Sequence, residues 1–145
     1  MFVCHGNICR SPIAEFVMKD LVKKAGLSDD FTIASAATST EELGNPVYPP
    51  AKRILAEHGI SCKGKTARQL NAADYDEWDM FICMDDWNIR NIGYIFPDPE
   101  NKVSKLLSFT GSDADVADPW YTRRFDIAYN DILRGCTALL NYLTS

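Results

Sequence analysis

Apolar positions along the chain follow two periods, and the periods alternate. Phe2-Val3 reads as the end of a buried strand that runs into the glycine-containing stretch Cys4 to Ser11. From Pro12 on, Ile13, Ala14, Val17, Met18, Leu21 and Val22 recur at spacings of three and four, predicting a helix that Gly26 stops. Pro12 suits the first turn of that helix, where a missing N–H costs nothing. Phe31-Thr32-Ile33-Ala34 predicts a strand ending in the Ser/Thr-rich turn Ser35 to Thr40. Pro49-Pro50 opens a second helix through Ile54 and Leu55, closed by Gly59. Met80 to Met84 is a short apolar run and predicts an inner strand, with Asp85 as the cap of a following helix. Val103 to Leu107 is a weaker strand. Phe125, Ala128, Ile132, Cys136, Leu139, Leu140 and Leu143 share one face of a last helix.

Strands alternating with helices predict an α/β fold. The expectation is one domain over residues 1–145: an open parallel sheet of about four strands with helices on both faces, flavodoxin- or Rossmann-like. Such sheets place ligands at the carboxyl ends of their strands, which directs attention to the segment after Phe2-Val3.

Composition narrows the function. With 46% hydrophobic and 24% charged residues, the chain is an ordinary globular protein rather than a disordered or fibrous one. A net charge of −5 argues against a nucleic-acid partner, so an anionic ligand needs a small local site. No apolar run approaches the roughly 18–20 residues of a membrane span. Five cysteines, an odd number, with no secretory signal before them, predict free thiols in the reducing cytoplasm.

The loop Cys4-His5-Gly6-Asn7-Ile8-Cys9-Arg10-Ser11 carries the chemistry. A short connection between a strand and a helix N-terminus turns successive backbone N–H groups inward and makes an anion cradle. Residues His5 to Arg10 would supply those groups. Gly6 frees one backbone position, and Asn7 tolerates the left-handed region. Arg10 adds a planar fork matched to two phosphate oxygens. Cys4 would put its sulfur on the cradle floor, facing N–H dipoles and guanidinium, an environment that favours the thiolate. Ser11 could donate a hydroxyl hydrogen to the same sulfur. A thiolate under a bound phosphate is an arrangement for attack on phosphorus. A metal site built on Cys4, His5 and Cys9 fails on number, because no further Cys/His cluster completes four ligands. Neither metal nor cofactor is expected.

The run Val3 to Glu15 closely resembles the signature of the low-molecular-weight protein tyrosine phosphatases. The likeness continues through Ser35-Ala36-Ala37-Thr38, His58-Gly59-Ile60, Ala67-Arg68-Gln69, Met84-Asp85 and Asp118-Pro119-Trp120-Tyr121. It implies hydrolysis of phosphotyrosine in proteins or peptides, and of small aryl phosphates, through a phosphocysteine on Cys4. Asp118 would be the proton donor, phosphate-like oxyanions would inhibit, and a reversible Cys4–Cys9 disulfide would protect the nucleophile. Trp120 and Tyr121 would form aromatic walls, with the loop Ser39 to Gly44 on the opposite rim.

The chain also departs from its relatives. Glu41 and Glu42 occupy a rim position where an aromatic residue is common, and two carboxylates there would repel acidic phosphopeptides. Thr122-Arg123-Arg124 brings two positive charges close to Asp118, either to favour anionic substrates or as a solvated face. Only three residues precede Cys4, so the expectation is either a shortened central strand or a chain that lacks its natural start. Two rival functions share features of this loop. A thioredoxin-coupled arsenate reductase would need two further redox cysteines; Cys83 could match one, but Asp85 to Asn101 holds none. A non-catalytic phosphotyrosine-binding module would need neither Cys4 nor Asp118.

Overall fold

The computed structural model describes residues 1–145. Its strands β1 (Phe2–Cys4), β2 (Ser35–Ala37), β3 (Phe81–Cys83) and β4 (Val103–Lys105) pair in parallel in the order β2-β1-β3-β4. Helices α1 (Arg10–Lys24), α2 (Pro49–Glu57), α3 (Asp74–Glu77), α4 (Asp86–Ile92), α5 (Pro119–Thr122) and α6 (Phe125–Thr144) connect the strands and cover the sheet. The expected open parallel sheet is the one observed. β1 has three residues, as has every other strand of the sheet.

Successive strand side chains point to opposite faces, and the core divides accordingly. Phe2, Cys4 and Ile82 join Ile13 and Val17 of α1, Leu55 of α2, and Ile132 and Leu139 of α6. Val3, Phe81 and Cys83 face the other way, onto Leu70, Tyr75, Ile92 and Phe96. Each Leu, Ile or Phe buried in this way contributes roughly 1.5–3 kcal/mol. Covering both faces is why the inner strands read as unbroken apolar runs.

Helices α1 and α2 end by the same device. Gly26 and Gly59 take left-handed backbone, with φ of 73° at each. Leu27 N–H then reaches the Val22 carbonyl, and Ile60 N–H the Leu55 carbonyl, returning an apolar residue to the core. Asp85 caps α4 as expected, in a reciprocal box with Asn88. Both helices therefore stop where the glycines predicted.

Several expectations need correction. The second strand is Ser35–Ala37, not Phe31–Ala34, because pairing is set by register with β1: Phe2 lies opposite Ser35 and Cys4 opposite Ala37. Phe31 and Ile33 are only half-buried and pack at the edge of the core. The fourth strand ends at Lys105; Leu106 and Leu107 are buried but curl into a 3-10 turn that α6 covers. α1 starts at Arg10, two residues before Pro12. Leu143 drifts off the buried stripe and is exposed. At Leu106 and Leu107 apolarity reported burial correctly and left the backbone conformation open, whereas at Phe31, Ile33 and Leu143 it overstated burial. No helix is long and apolar enough to cross a membrane.

Gly135, inside α6, marks the closest approach of that helix to the turn at Leu106. A Cβ there would lie 2.5 Å from Leu106 Cγ. Alanine ordinarily favours a helix over glycine, yet Gly135→Ala is expected to lower stability by about 1–3 kcal/mol through overpacking. Urea denaturation checks this; a stabilised variant would contradict the packing.

Candidate active site

Cys4 ends β1 with its side chain buried, and the chain then turns through five residues before α1 begins. The backbone N–H groups of His5, Gly6, Asn7, Ile8 and Cys9 donate to no acceptor in the protein. Buried N–H groups are almost always paired, and three of these five residues are buried. Consecutive unpaired donors between a strand end and a helix N-terminus form a local positive region.

Asn7 holds this loop open. It adopts the expected left-handed backbone, φ 60°. Its Oδ1 accepts from Arg68 N–H at 3.2 Å, and its Nδ2 donates to Ser11 Oγ at 2.8 Å and Ser35 Oγ at 2.9 Å. Ser35 gives its one hydroxyl hydrogen to the Glu15 carboxylate at 2.6 Å, so its oxygen must accept from Asn7. Ser11 Oγ accepts the other Asn7 hydrogen, which leaves the Ser11 hydroxyl hydrogen for Cys4 Sγ, 2.9 Å away. Ser11 N–H faces the same sulfur at 3.4 Å. Two donors therefore converge on one sulfur. Glu15 itself is buried and paired with Lys19 and Lys65.

Arg10 is buried and held from behind. Its Nη1 donates to Asp85 Oδ2 at 2.7 Å and to the Val116 carbonyl at 2.8 Å. Both Nη1 hydrogens are thereby used, and the Nε–Nη2 edge remains as a two-pronged donor. Burial opposes the Arg10 charge, but Cys4, Asp118 and Asp85 outweigh it and raise its ionisation. Asp118, at the start of α5, approaches Nη2 at 3.4 Å and accepts from Trp120 N–H at 3.0 Å. Asp85 was expected only as a helix cap; its second oxygen also fixes the arginine, a role no local signal revealed.

Cys4, Arg10 and Asp118 meet in a pocket of about 140 Å³, whose walls include His5, Gly6, Ile8, Cys9, Glu41, Glu42, Trp120 and Tyr121. Every rim residue expected from sequence lines it; Asn7 and Ser11 stand behind it. Arg123 and Arg124 do not line it. Arg124 pairs with Asp126, while Arg123 donates to Tyr48 OH and stacks over Trp120. A larger apolar hollow of about 530 Å³ lies at the opposite, amino ends of β1 and β3, and no cysteine, lysine or arginine lines it. The chemistry is not there.

Residues 1–145 match the family described as low molecular weight phosphotyrosine protein phosphatase. The chain belongs to that family. It is 36% identical over 143 residues to the low molecular weight protein-tyrosine-phosphatase PtpA of Staphylococcus aureus, covering 98% of this chain and 91% of that protein. YfkJ from Bacillus subtilis has the same fold, with a TM-score of 0.94 at 38% identity over 98% of this chain and 91% of that one. DARP, a Drosophila arginine phosphatase, gives a TM-score of 0.91 at 30% identity, over 99% and 96% of the two chains. As a low molecular weight phosphatase, the protein is a cysteine-based hydrolase.

The other thiols of this phosphatase are quiet. Burial, and after it the Cys4 charge, pushes Cys9 up to about 12. Burial also pushes up Cys62, Cys83 and Cys136. A neutral thiol does not attack, so brief iodoacetate treatment at neutral pH is expected to label Cys4 and spare the other four. Peptide mass mapping reads the outcome; carboxymethylation of Cys9 with Cys4 unmodified would contradict the geometry.

Proposed function

We propose that this phosphatase hydrolyses phosphotyrosine in proteins or peptides, and small aryl phosphates, through a phosphocysteine on Cys4. The observation that carries the reading is the row of unpaired N–H groups around a sulfur that accepts from Ser11. The cradle and the Arg10 edge hold the non-transferring phosphoryl oxygens while Cys4 attacks in line. A phosphorus–sulfur bond forms, the phosphorus–oxygen bond breaks, and the Asp118 carboxyl gives its proton to the departing phenolic oxygen. Asp118, now a carboxylate, takes a proton from water as that water attacks phosphorus. Inorganic phosphate leaves and the thiolate returns. Phosphate-like oxyanions occupy the same cradle and compete with substrate.

Trp120 and Tyr121 support an aryl ester as substrate, since two exposed aromatic walls suit a flat ring. Retention of both nucleophile and proton donor speaks against a mere binding module. The reductase reading finds no support either: Cys83 is sealed in the sheet, and Asp85 to Asn101 holds no partner thiol. Cys9 is the partner for reversible oxidation of Cys4. Peroxide takes the Cys4 thiolate to a sulfenic acid, and attack by the Cys9 sulfur expels water and forms the disulfide, which a thiol reductant reopens. Five free thiols suit the cytoplasm.

Para-nitrophenyl phosphate in the presence of a chelator tests the reading: the protein turns it over and Cys4→Ser does not. Asp118→Ala is expected to slow phosphotyrosine hydrolysis by roughly 10²–10⁴-fold, and para-nitrophenyl phosphate less, because its leaving group needs a proton least. Equal slowing on both substrates would refute the acid role.

A further inference from the structure

Glu41 is an exposed carboxylate and Glu42 a half-buried one, and the structure anchors both of them at the pocket mouth. Ser39 ties their loop to the phosphate loop: its N–H and hydroxyl both donate to the His5 carbonyl, at 3.1 and 2.9 Å. His5 Nε2 then donates across the mouth to Glu41 Oε2 at 2.8 Å. Glu42 accepts from Asn45 Nδ2 at 2.7 Å, and its Cγ lies against Gly6, where a Cβ would come within 3.3 Å. The two charges are therefore held in place rather than sampled by free side chains. The same pocket is lined by the uncharged rings of Trp120 and Tyr121, and Arg123 is turned onto Tyr48 and Trp120, so Arg10 is the only lysine or arginine in its lining. Arg10 lies buried at the base, its Nη1 committed to Asp85 and Val116 and its Nη2 3.4 Å from Asp118, with the Nε–Nη2 edge turned to the phosphate site.

We infer that the Glu41–Glu42 lip selects phosphotyrosine flanked by lysine or arginine, and disfavours acidic flanks. This rests on the phosphotyrosine reading above and names the substrate class within it. A phosphoryl group seated on the cradle brings the residues on either side of the phosphotyrosine to the mouth. There an ammonium or guanidinium meets two fixed carboxylates, of which only Glu41 has a partner that can carry charge, and that partner is an imidazole. A carboxylate on the substrate meets like charge with no compensating cation on that side. Each exposed pair is weak, so the effect is a preference rather than an absolute rule. Electrostatic matching of this kind raises kcat/KM chiefly through encounter and falls with salt.

The test is kcat/KM on three phosphotyrosine peptides that differ only at the two flanking positions, with Lys, Gln or Glu in both. The expected order is Lys, then Gln, then Glu, with about three- to tenfold between the extremes at low salt. In Glu41→Gln/Glu42→Gln the ratio is expected to collapse toward one, and Glu41→Lys should invert it. A ratio is the readout because general damage to the loop slows all three peptides together. Turnover of all three at equal rates overturns this inference alone. A lysine preference that survives in the double variant also overturns it, by placing the discrimination elsewhere. Failure to hydrolyse any of the three overturns the phosphotyrosine reading, and this inference with it.

Discussion

Unpaired backbone donors are costly in a folded protein, and the loop after β1 holds five in succession. Leaving a buried amide hydrogen unbonded costs about 1–3 kcal/mol. The rest of the site is arranged to keep that loop from relaxing. Asn7 holds a left-handed turn and anchors it to Arg68, Ser11 and Ser35. Glu15, paired with Lys19 and Lys65, fixes the direction of the hydrogen bonds that run through Ser35 and Asn7 to Ser11. The end of that chain is one hydroxyl hydrogen aimed at the Cys4 sulfur. An anion relieves the unpaired donors, so the cradle binds phosphoryl oxygens with groups whose orientation is already settled.

The parallel sheet explains why chemistry from distant parts of the sequence meets here. The segments after the carboxyl ends of β1, β2 and β3 supply the cradle, the Ser39–Glu42 rim and Asp85 respectively. α5 brings Asp118 to within 3.4 Å of Arg10, 108 positions away in the chain. The carboxyl ends of the strands thus serve as the platform for the site.

Much of this was legible from the residues, and what was not has a physical reason. Local periodicity located α1, α2 and α6 but not the four-residue α3 and α5, which are too short to show a period. Glycines marked the ends of α1 and α2 because a left-handed turn there is a local requirement. The sulfur, the guanidinium fork and the free amides lie within eight consecutive residues, so the cradle could be read without tertiary information. Asp118 could not: Asp-Pro is an ordinary turn signal, and only resemblance to a family assigned it a proton. Asp85 read as a cap because capping is local, whereas its bond to Arg10 spans 75 positions. β2 was placed four residues early because Phe31 and Ile33 carry the propensity, while the small residues Ser35 to Ala37 carry the register and leave room for Asn7. The His5–Glu41 bond crosses between two loops and had no sequence signal beyond two polar residues at a rim.

The central claim is that Cys4 lies beneath an oxyanion cradle formed by the His5–Cys9 amides and the free edge of Arg10. A crystal structure after soaking in orthovanadate tests it most directly. The account predicts vanadium bonded to Cys4 Sγ, its equatorial oxygens on the loop N–H groups and on Arg10 Nε and Nη2, and Asp118 facing the apical oxygen opposite sulfur. An empty loop with its amides turned away, or vanadate bound elsewhere, would contradict it.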